Sequence, residues 1–343
     1  MRTLDFTALT QPVSKQDVDL LKTIQPVRTA GPWPRRELAI FVAVVAAMMI
    51  FFMVFTSILL GSNDFTFGPF LMLTFFVGII IAIYAAISAA RRRYLAKLYK
   101  FAQANDITLR YDVGSPAYSG MIFDEGHSRQ IKEALAFSDG VELGNYEYVT
   151  GSGKSRTTHL YGYARVALNR SLPNMVLDAK SNNFLNLSSL PDTFDRSQRL
   201  KLEGDFNNYF DLYVPKQYER DALYVFTPDV MQALVDRGKQ YDMEVVDSEL
   251  FVYFPLRIKL DSQAVLTDML AMLDTIGTEL RDQTRRYSDE KLASNVPAGT
   301  AVAQEGKRLK KSLSPLIIVI VIFIVLHFAF SFAGPSGLLQ LFR

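Results

Sequence analysis

The sequence predicts a membrane protein with three transmembrane α-helices and one α+β cytoplasmic domain that contains antiparallel hairpins. Three observations support this fold class. Uncharged runs of 26 residues lie on either side of Asp64, and a third apolar run follows Lys311. Basic residues flank all three runs on the same side. Between the second and third runs, helical and strand patterns are mixed over about 200 residues, enough for one core.

The three apolar runs are long enough to span a bilayer. The first two form a transmembrane helical hairpin within residues 37–93, with spans at residues 38–60 and 68–90, and the third span lies at residues 312–333. At about 1.5 Å per residue, each run crosses a hydrocarbon core of about 30 Å. The runs contain no Asp, Glu, Lys or Arg, and His327 is their single His. Because ionisable groups mark ion and substrate paths, the spans favour anchoring over transport, and a role for His327 stays open.

The Lys and Arg residues beside the spans predict the orientation. They stand before the first span, after the second and before the third, whereas the short turn at residues 62–67 has none. By the positive-inside rule, residues 1–36 and the domain at residues 94–293 are cytoplasmic, and the tail at residues 334–343 is extracytoplasmic. We expect contact with lipid headgroups from the basic residues that lie nearest to the second and third spans, which are Arg91, Arg92, Arg93, Lys307, Arg308, Lys310 and Lys311.

Composition excludes several classes of function. Residues 101–306 carry 21 Lys and Arg against 30 Asp and Glu, a net charge of −9, so the domain lacks the basic face that a nucleic acid needs. The chain has no Cys and three His, which excludes a thiolate metal site and a His-rich centre. We therefore expect no metal, no cofactor and no nucleic-acid partner.

The cytoplasmic domain begins with a predicted strand at residues 107–113 and a Ser-capped helix at residues 128–137. A β-hairpin follows, with strands at residues 141–150 and 157–168. Further strands are predicted at residues 175–179, 200–202 and 209–214, and a second hairpin at residues 243–246 and 250–254. Helices are predicted from Thr227, with Pro228 in the first turn, and at residues 261–287. Residues 294–311 are interpreted as a flexible basic linker to the third span.

Part of the domain resembles a known family. The segments that carry the resemblance are Leu202-Glu203-Gly204-Asp205-Phe206, Phe210-Asp211-Leu212-Tyr213 and Ala-Leu-Tyr-Val-Phe-Thr-Pro-Asp-Val-Met at residues 222–231. They are similar to an uncharacterised bacterial integral-membrane family in which an N-terminal helix pair precedes a cytoplasmic domain with a Phe-Thr-Pro helix start. The resemblance covers about residues 140–255 and the helix pair. It implies a bacterial inner (cytoplasmic) membrane and carries over no catalytic residue.

Two short motifs invite a catalytic interpretation. Asp124, Glu125 and His127 place two carboxylates near an imidazole, which is the chemistry of a hydrolase, although three neighbours on one tight loop rarely face a common point. Gly153-Lys154-Ser155 resembles the end of a P-loop, but Tyr148 stands where that loop needs Gly and a strand follows. We interpret the second motif as the turn of the first hairpin.

The strand at residues 157–168 carries the predicted binding surface. His159, Tyr161, Tyr163 and Arg165 alternate with Leu160, Ala164, Val166 and Leu168, so the two sets lie on opposite faces. The first set offers aromatic area with directional donors, which is typical of binding sites, and the second set predicts contact with the core. The alternative is ordinary sheet surface.

Together these patterns favour a membrane-anchored interaction or scaffold module that is not an enzyme. Membrane lipids and another protein are the expected partners, and a second copy of the chain, in a homo-oligomer, is the alternative partner. The alternatives are a membrane-tethered hydrolase that uses Asp124, Glu125 and His127, and an accessory subunit of a channel or transporter.

Overall fold

The computed structural model describes residues 3–24, 67–114, 116–183, 188, 190–293 and 295–312, with isolated positions in 43–55 and 322–327. The predicted first and third spans therefore lie almost wholly outside the described residues. The chain divides into two compact units. The helical unit lies within Arg2–Asp112 and includes Asp261–Gln263, and the sheet unit lies within Val113–Leu260 and Ala264–Arg343.

The helical unit contains α1 (Thr7–Thr10), α2 (Lys15–Ile24) and the 38-residue α3 (Phe67–Ala104). Strand β1 (Thr108–Gly114) starts in this unit. Among the described residues, one helix has the length and composition of a membrane span. It covers Thr74–Ala104, and its most apolar 18-residue window has a mean hydropathy of 1.9 and is 6% buried. A core helix of a soluble protein would be mostly buried, and this one is not.

The sheet unit is built on an antiparallel sheet. Its strands are β2 (His127–Ala136), β3 (Val141–Thr150), β4 (Thr157–Ala179), β5 (Arg199–Leu200), β6 (Phe210–Tyr213) and β7 (Asp242–Phe254). They follow the order β2-β3-β4-β6-β5, and β7 pairs with β4. The described helices and the antiparallel sheet confirm the predicted α+β class.

Strand β4 organises the sheet because it is 23 residues long. Its first part pairs with β3 from Thr150 opposite Thr157 to Val141 opposite Val166, which confirms the first hairpin. Its last residues pair with β6, and β7 pairs along much of its length. The predicted strand at residues 175–179 is therefore the end of β4 and not a separate strand.

Within the described residues 219–284 there are three α-helices: α4 (Glu219–Val225), α5 (Pro228–Gly238) and α6 (Gln263–Thr284). Helix α6 approaches the sheet closely at Gly277, where an added Cβ would lie 3.1 Å from the side chain of Val166. A core cluster of the sheet unit includes Phe123, Tyr146, Tyr163 and Phe251. Both faces of β4 are thus covered.

Two predicted elements are wrong. The predicted helix at residues 128–137 is instead part of strand β2 up to Ala136: Ile131, Glu133, Ala134 and Leu135 are all buried, and antiparallel pairing with β3 satisfies peptide groups of the strand. The predicted second hairpin is a single strand, β7. Its Asp247, at φ 51°, lies opposite Leu172 in an irregular stretch of β4, so the polar triplet that suggested a turn is a local irregularity.

Residues 295–312 are held by specific contacts and do not form the flexible linker that was expected. The peptide N–H of Ala303 donates to Asp289 at 2.8 Å, and that of Leu309 donates to the amide oxygen of Asn174 at 3.2 Å. The main chain of Lys311 pairs with that of Phe194 in an isolated antiparallel β-bridge. The Ala- and Gly-rich composition does not predict these contacts, because the segment contributes main-chain N–H groups to them.

Candidate functional site: a basic cleft between α2 and α3

A cleft of about 820 Å³ lies between the N-terminal segment and α3, wholly within the helical unit. We call it the α2–α3 cleft. One wall is formed by residues 11–15, 18 and 19, and the other by α3 residues 89, 90, 92–94 and 97, with Asp261 beside them. On α3, Ala90, Arg93 and Lys97 follow helical spacing, so they lie on one face.

The first wall is fixed on α3 by specific contacts. Ser14 and Asp17 form a reciprocal capping box at the start of α2, with N···O distances of 2.8 and 3.2 Å. Hydrogen bonds from the main chain and side chain of Ser14 lower the pKa of Asp17. Asp17 also pairs with Lys100 of α3 at 3.2 Å. Buried Leu21 packs with Leu95 in one apolar cluster.

The chain before α2 is fixed in the same way. The rings of Phe6 and Phe101 stack at 5.6 Å between centroids. Asn105 accepts from the main-chain N–H of Asp5 at 2.6 Å and donates to its carbonyl at 2.9 Å. The cleft therefore has preformed walls.

Positive charge is in excess in the α2–α3 cleft, where the basic residues Lys15, Arg92, Arg93 and Lys97 outnumber the acids Asp19 and Asp261. Lys97 pairs with Asp261 at 3.7 Å, whereas Lys15, Arg92 and Arg93 make no hydrogen bond or ion pair with any described residue. Neighbouring Arg91 is different, because it pairs at 3.6 Å with the carboxylate of Asp112, whose side chain is 4% exposed. Unpaired cations in a concave site favour an anionic ligand.

The apolar length of α3 ends at this cleft. Large side chains exposed on α3 precede it, namely Phe75, Phe76, Ile79, Ile80, Ile81, Ile83 and Ile87. Beyond the cleft the same helix is buried, with Leu95, Leu98 and Phe101 fully covered. The cleft thus marks the point where α3 changes from exposed apolar surface to protein core.

The basic residues before the third span, which were also predicted to contact lipid headgroups, do not line the α2–α3 cleft. Arg308 pairs with Asp124 at 3.7 Å, and Lys311 pairs with Asp192 at 2.7 Å and Glu125 at 3.2 Å. Lys307 and Lys310 are exposed. Part of this basic run therefore neutralises acids of its own unit.

The loop with Asp124, Glu125 and His127 does not form a convergent site. Its two carboxylates pair with Arg129, Arg308 and Lys311, and His127 is exposed. Within the described ranges, no three His, Cys, Asp or Glu side chains come together as a metal site. Gly151–Ser155 is an exposed turn that leads into β4, as predicted.

The four residues proposed as a binding surface on β4 do not form one open face. Tyr163 is fully buried, and its hydroxyl donates to Glu142 at 2.5 Å. Arg165 pairs with Glu249, and its guanidinium lies 4.7 Å from the ring centroid of Tyr118.

The other two members of that surface are also engaged. His159 stacks on Tyr148 at 4.8 Å and contacts Thr150 at 2.8 Å, and Tyr161 stacks on the same ring at 6.1 Å. The expectation of two accessible aromatic anchors is therefore wrong for Tyr163. Burial of Ala164 and Val166 on the opposite face confirms that those residues pack in the core.

Sequence reasoning missed the buried carboxylates of the sheet. Glu244 accepts from Tyr253 at 2.6 Å, from Asn174 at 2.7 Å and from the main-chain N–H of Met121 at 2.7 Å. Its pKa is raised because burial disfavours the charged form. The available signal was an acid between apolar residues in a strand run, as in Met-Glu-Val at residues 243–245.

A second buried acid titrates near neutrality. Burial, followed by the charge of Asp242, raises the pKa of Asp178 to about 7. Asp242 itself accepts from the main-chain N–H of Ala179 at 2.8 Å and from Asn182 at 3.0 Å. The raised pKa of Asp178 links proton binding at this carboxyl to folding.

Comparisons with known proteins add little. No family model matches the chain, and no curated protein is similar to it. Among solved structures, it is similar to the crystal structure of the mycobacterial trehalose monomycolate transport factor A, TtfA, with a TM-score of 0.35 and 11% identity, over 57% of this chain and 94% of that chain. Similarity at this level carries no argument about function. The resemblance to a bacterial integral-membrane family stays a prediction.

Proposed function

We propose that the chain is a membrane-anchored, non-catalytic interaction module of a bacterial inner membrane, with three spans and a cytoplasmic sheet unit. The anchoring is supported by α3, which has an exposed apolar part and a part that packs against protein. Its residues from Thr74 onward expose large apolar side chains, and its last turns are buried in protein. A helix with such exposed apolar length is stable against lipid and unfavourable in water.

The topology is tested with reporters on the full chain. A reporter that is active only outside the cytoplasm, fused after Phe342, is expected to be active, and the same reporter at Ser294 is expected to be silent. Retention of the chain in membranes after carbonate washing is the accompanying measurement. A silent reporter at both positions contradicts three spans, and release by carbonate contradicts anchoring altogether.

The non-catalytic role is supported by the ion pairs of Asp124 and Glu125, which join these acids to Arg129, Arg308 and Lys311 and do not include the exposed His127. His127→Gln is expected to leave the cellular role of the full chain intact at unchanged protein level. Loss of that role in His127→Gln, with normal membrane content, would favour a hydrolase. Lys154→Gln, another exposed position, is the matched control.

A further inference from the structure

The α2–α3 cleft combines two properties that one ligand class can satisfy together. Lys15, Arg92 and Arg93 line it without a partner among the described residues. Directly before it on the same helix, the side chains from Phe75 to Ile87 expose apolar surface. A ligand that matches both must carry an anionic group joined to a long apolar part.

The cleft is also rigid enough to select a ligand. Its N-terminal wall is held by the capping box at Ser14 and Asp17 and by the Asp17 to Lys100 ion pair. Because these contacts join residues of the helical unit to one another and do not involve a ligand group, binding does not require ordering of the wall. Guanidinium groups are suited to phosphate oxygens, to which they donate paired, charge-assisted hydrogen bonds.

We propose that the α2–α3 cleft binds the headgroup of one anionic phospholipid, whose acyl chains lie along the exposed apolar length of α3. This inference rests on the membrane span in the proposed function. Arg92 and Arg93 bind the phosphate, and Lys15 adds charge from α2. A soluble phosphate compound satisfies the cations but leaves the apolar surface of α3 uncovered, so the lipid is favoured.

The test uses the full chain in phosphatidylcholine nanodiscs that contain a minor fraction of phosphatidylglycerol. Native mass spectrometry of the released protein measures the ratio of retained phosphatidylglycerol to phosphatidylcholine. In Arg92→Gln/Arg93→Gln this ratio is expected to fall about fivefold for each cation removed. The charge-matched control is Lys307→Gln/Lys310→Gln, which removes two exposed cations elsewhere and is expected to change the ratio by less than twofold.

A second variant separates a site from general attraction. Ala90→Trp fills the cleft from its exposed rim and keeps every charge, so it is expected to lower phosphatidylglycerol retention, whereas Ala90→Ser is expected to retain it. Equal losses in the cleft variant and in the Lys307/Lys310 control would overturn the proposal. Retention unchanged by Ala90→Trp would also overturn it.

Two further outcomes are distinguished. If inorganic phosphate binds the full chain in phosphatidylcholine nanodiscs and added phosphatidylglycerol does not compete with it, the site recognises phosphate alone and the lipid assignment is wrong. If carbonate releases the chain from membranes, the membrane anchoring in the proposed function is wrong. A chain that stays in the membrane without preference for phosphatidylglycerol refutes the lipid site alone.

Discussion

The two basic runs, residues 91–100 and residues 307–311, look equivalent in sequence and differ in structure. The first is helical, and its members Arg92 and Arg93, which pair with no residue that the structure describes, line the α2–α3 cleft. The second has its peptide groups bonded to the sheet unit, and its Arg308 and Lys311 neutralise nearby acids. The difference teaches that basic composition alone does not identify a ligand site. Basic side chains are available to a ligand only if they do not already form ion pairs with acids of the same unit.

The largest effect is expected where the second run is anchored in the core. Leu309 belongs to the core cluster of Phe123, Tyr146 and Phe251 and is 7% exposed. Leu309→Asp buries an unpaired carboxylate, so we expect the sheet unit to lose about 3 kcal/mol or more of its free energy of unfolding. Thermal unfolding of the full chain in detergent measures it. Exposed Lys310→Asp is the control, and equal midpoints for both variants would contradict the anchoring.

The next effect concerns the amide that joins the second run to Glu244. Asn174→Ala removes the acceptor of the Leu309 N–H and a donor to Glu244. We expect a loss of about 1 to 3 kcal/mol, because buried polar groups are left unsatisfied. The same thermal measurement applies, with exposed Asn208→Ala as the control. A midpoint like that of the control would mean that water replaces the amide.

The two units are expected to respond to pH with opposite signs. Asp178 has a raised pKa of about 7 in the fold, so the stability linked to it is complete at low pH and is lost as pH rises from about 4 to 7. The slope is at most about 1.4 kcal/mol per pH unit. The lowered pKa of Asp17 contributes stability above its unfolded pKa that is lost as pH falls through the folded value.

Hydrogen exchange of the full chain, corrected for the intrinsic rate, measures both responses at once. Peptides of β4 and β7 are expected to lose protection as pH rises, and Asp178→Asn should flatten that dependence. Peptides of α2 should lose protection as pH falls, and Asp17→Asn should remove that change. The same sign of response in both units would refute this assignment.

The smallest effect separates the two basic runs directly. Lys311→Gln breaks exposed ion pairs with Asp192 and Glu125, and we expect a loss of up to about 1 kcal/mol. Arg92→Gln/Arg93→Gln breaks no ion pair in the described structure, so stability is expected to stay within about 0.5 kcal/mol. Thermal midpoints of the full chain in detergent compare them. A larger loss in the Arg92/Arg93 variant would make those arginines structural.

Sequence patterns were sufficient where local chemistry dominates. The hairpin at β3 and β4 follows from alternating residues around a Gly-rich turn, and α5 from Pro228 in a first turn. They failed at β2, where Ile131, Ala134 and Leu135 fit a helix as well as a strand. Burial on both faces removes the alternation that distinguishes a strand, and only pairing with β3 decides.

The candidate site was predicted only in part. Arg92 and Arg93 were expected to meet lipid headgroups because of their position after an apolar run. Lys15 was not expected at this site, because it lies more than 70 residues from Arg92 in sequence and reaches the cleft only when α2 packs on α3. The loop at Asp124 looked catalytic because its partners, Arg308 and Lys311, are distant in sequence.

By itself, the sequence determined the α+β class, the apolar length of α3 and the sorting of charge along the chain, because hydropathy and charge are properties of each residue. The tertiary structure decided which charges are neutralised, that Tyr163 is buried against Glu142 and that residues 295–312 are bound to the sheet unit. Those outcomes depend on pairs of groups far apart in sequence. Such pairs meet only when long-range packing offsets the entropy of ordering the chain between them.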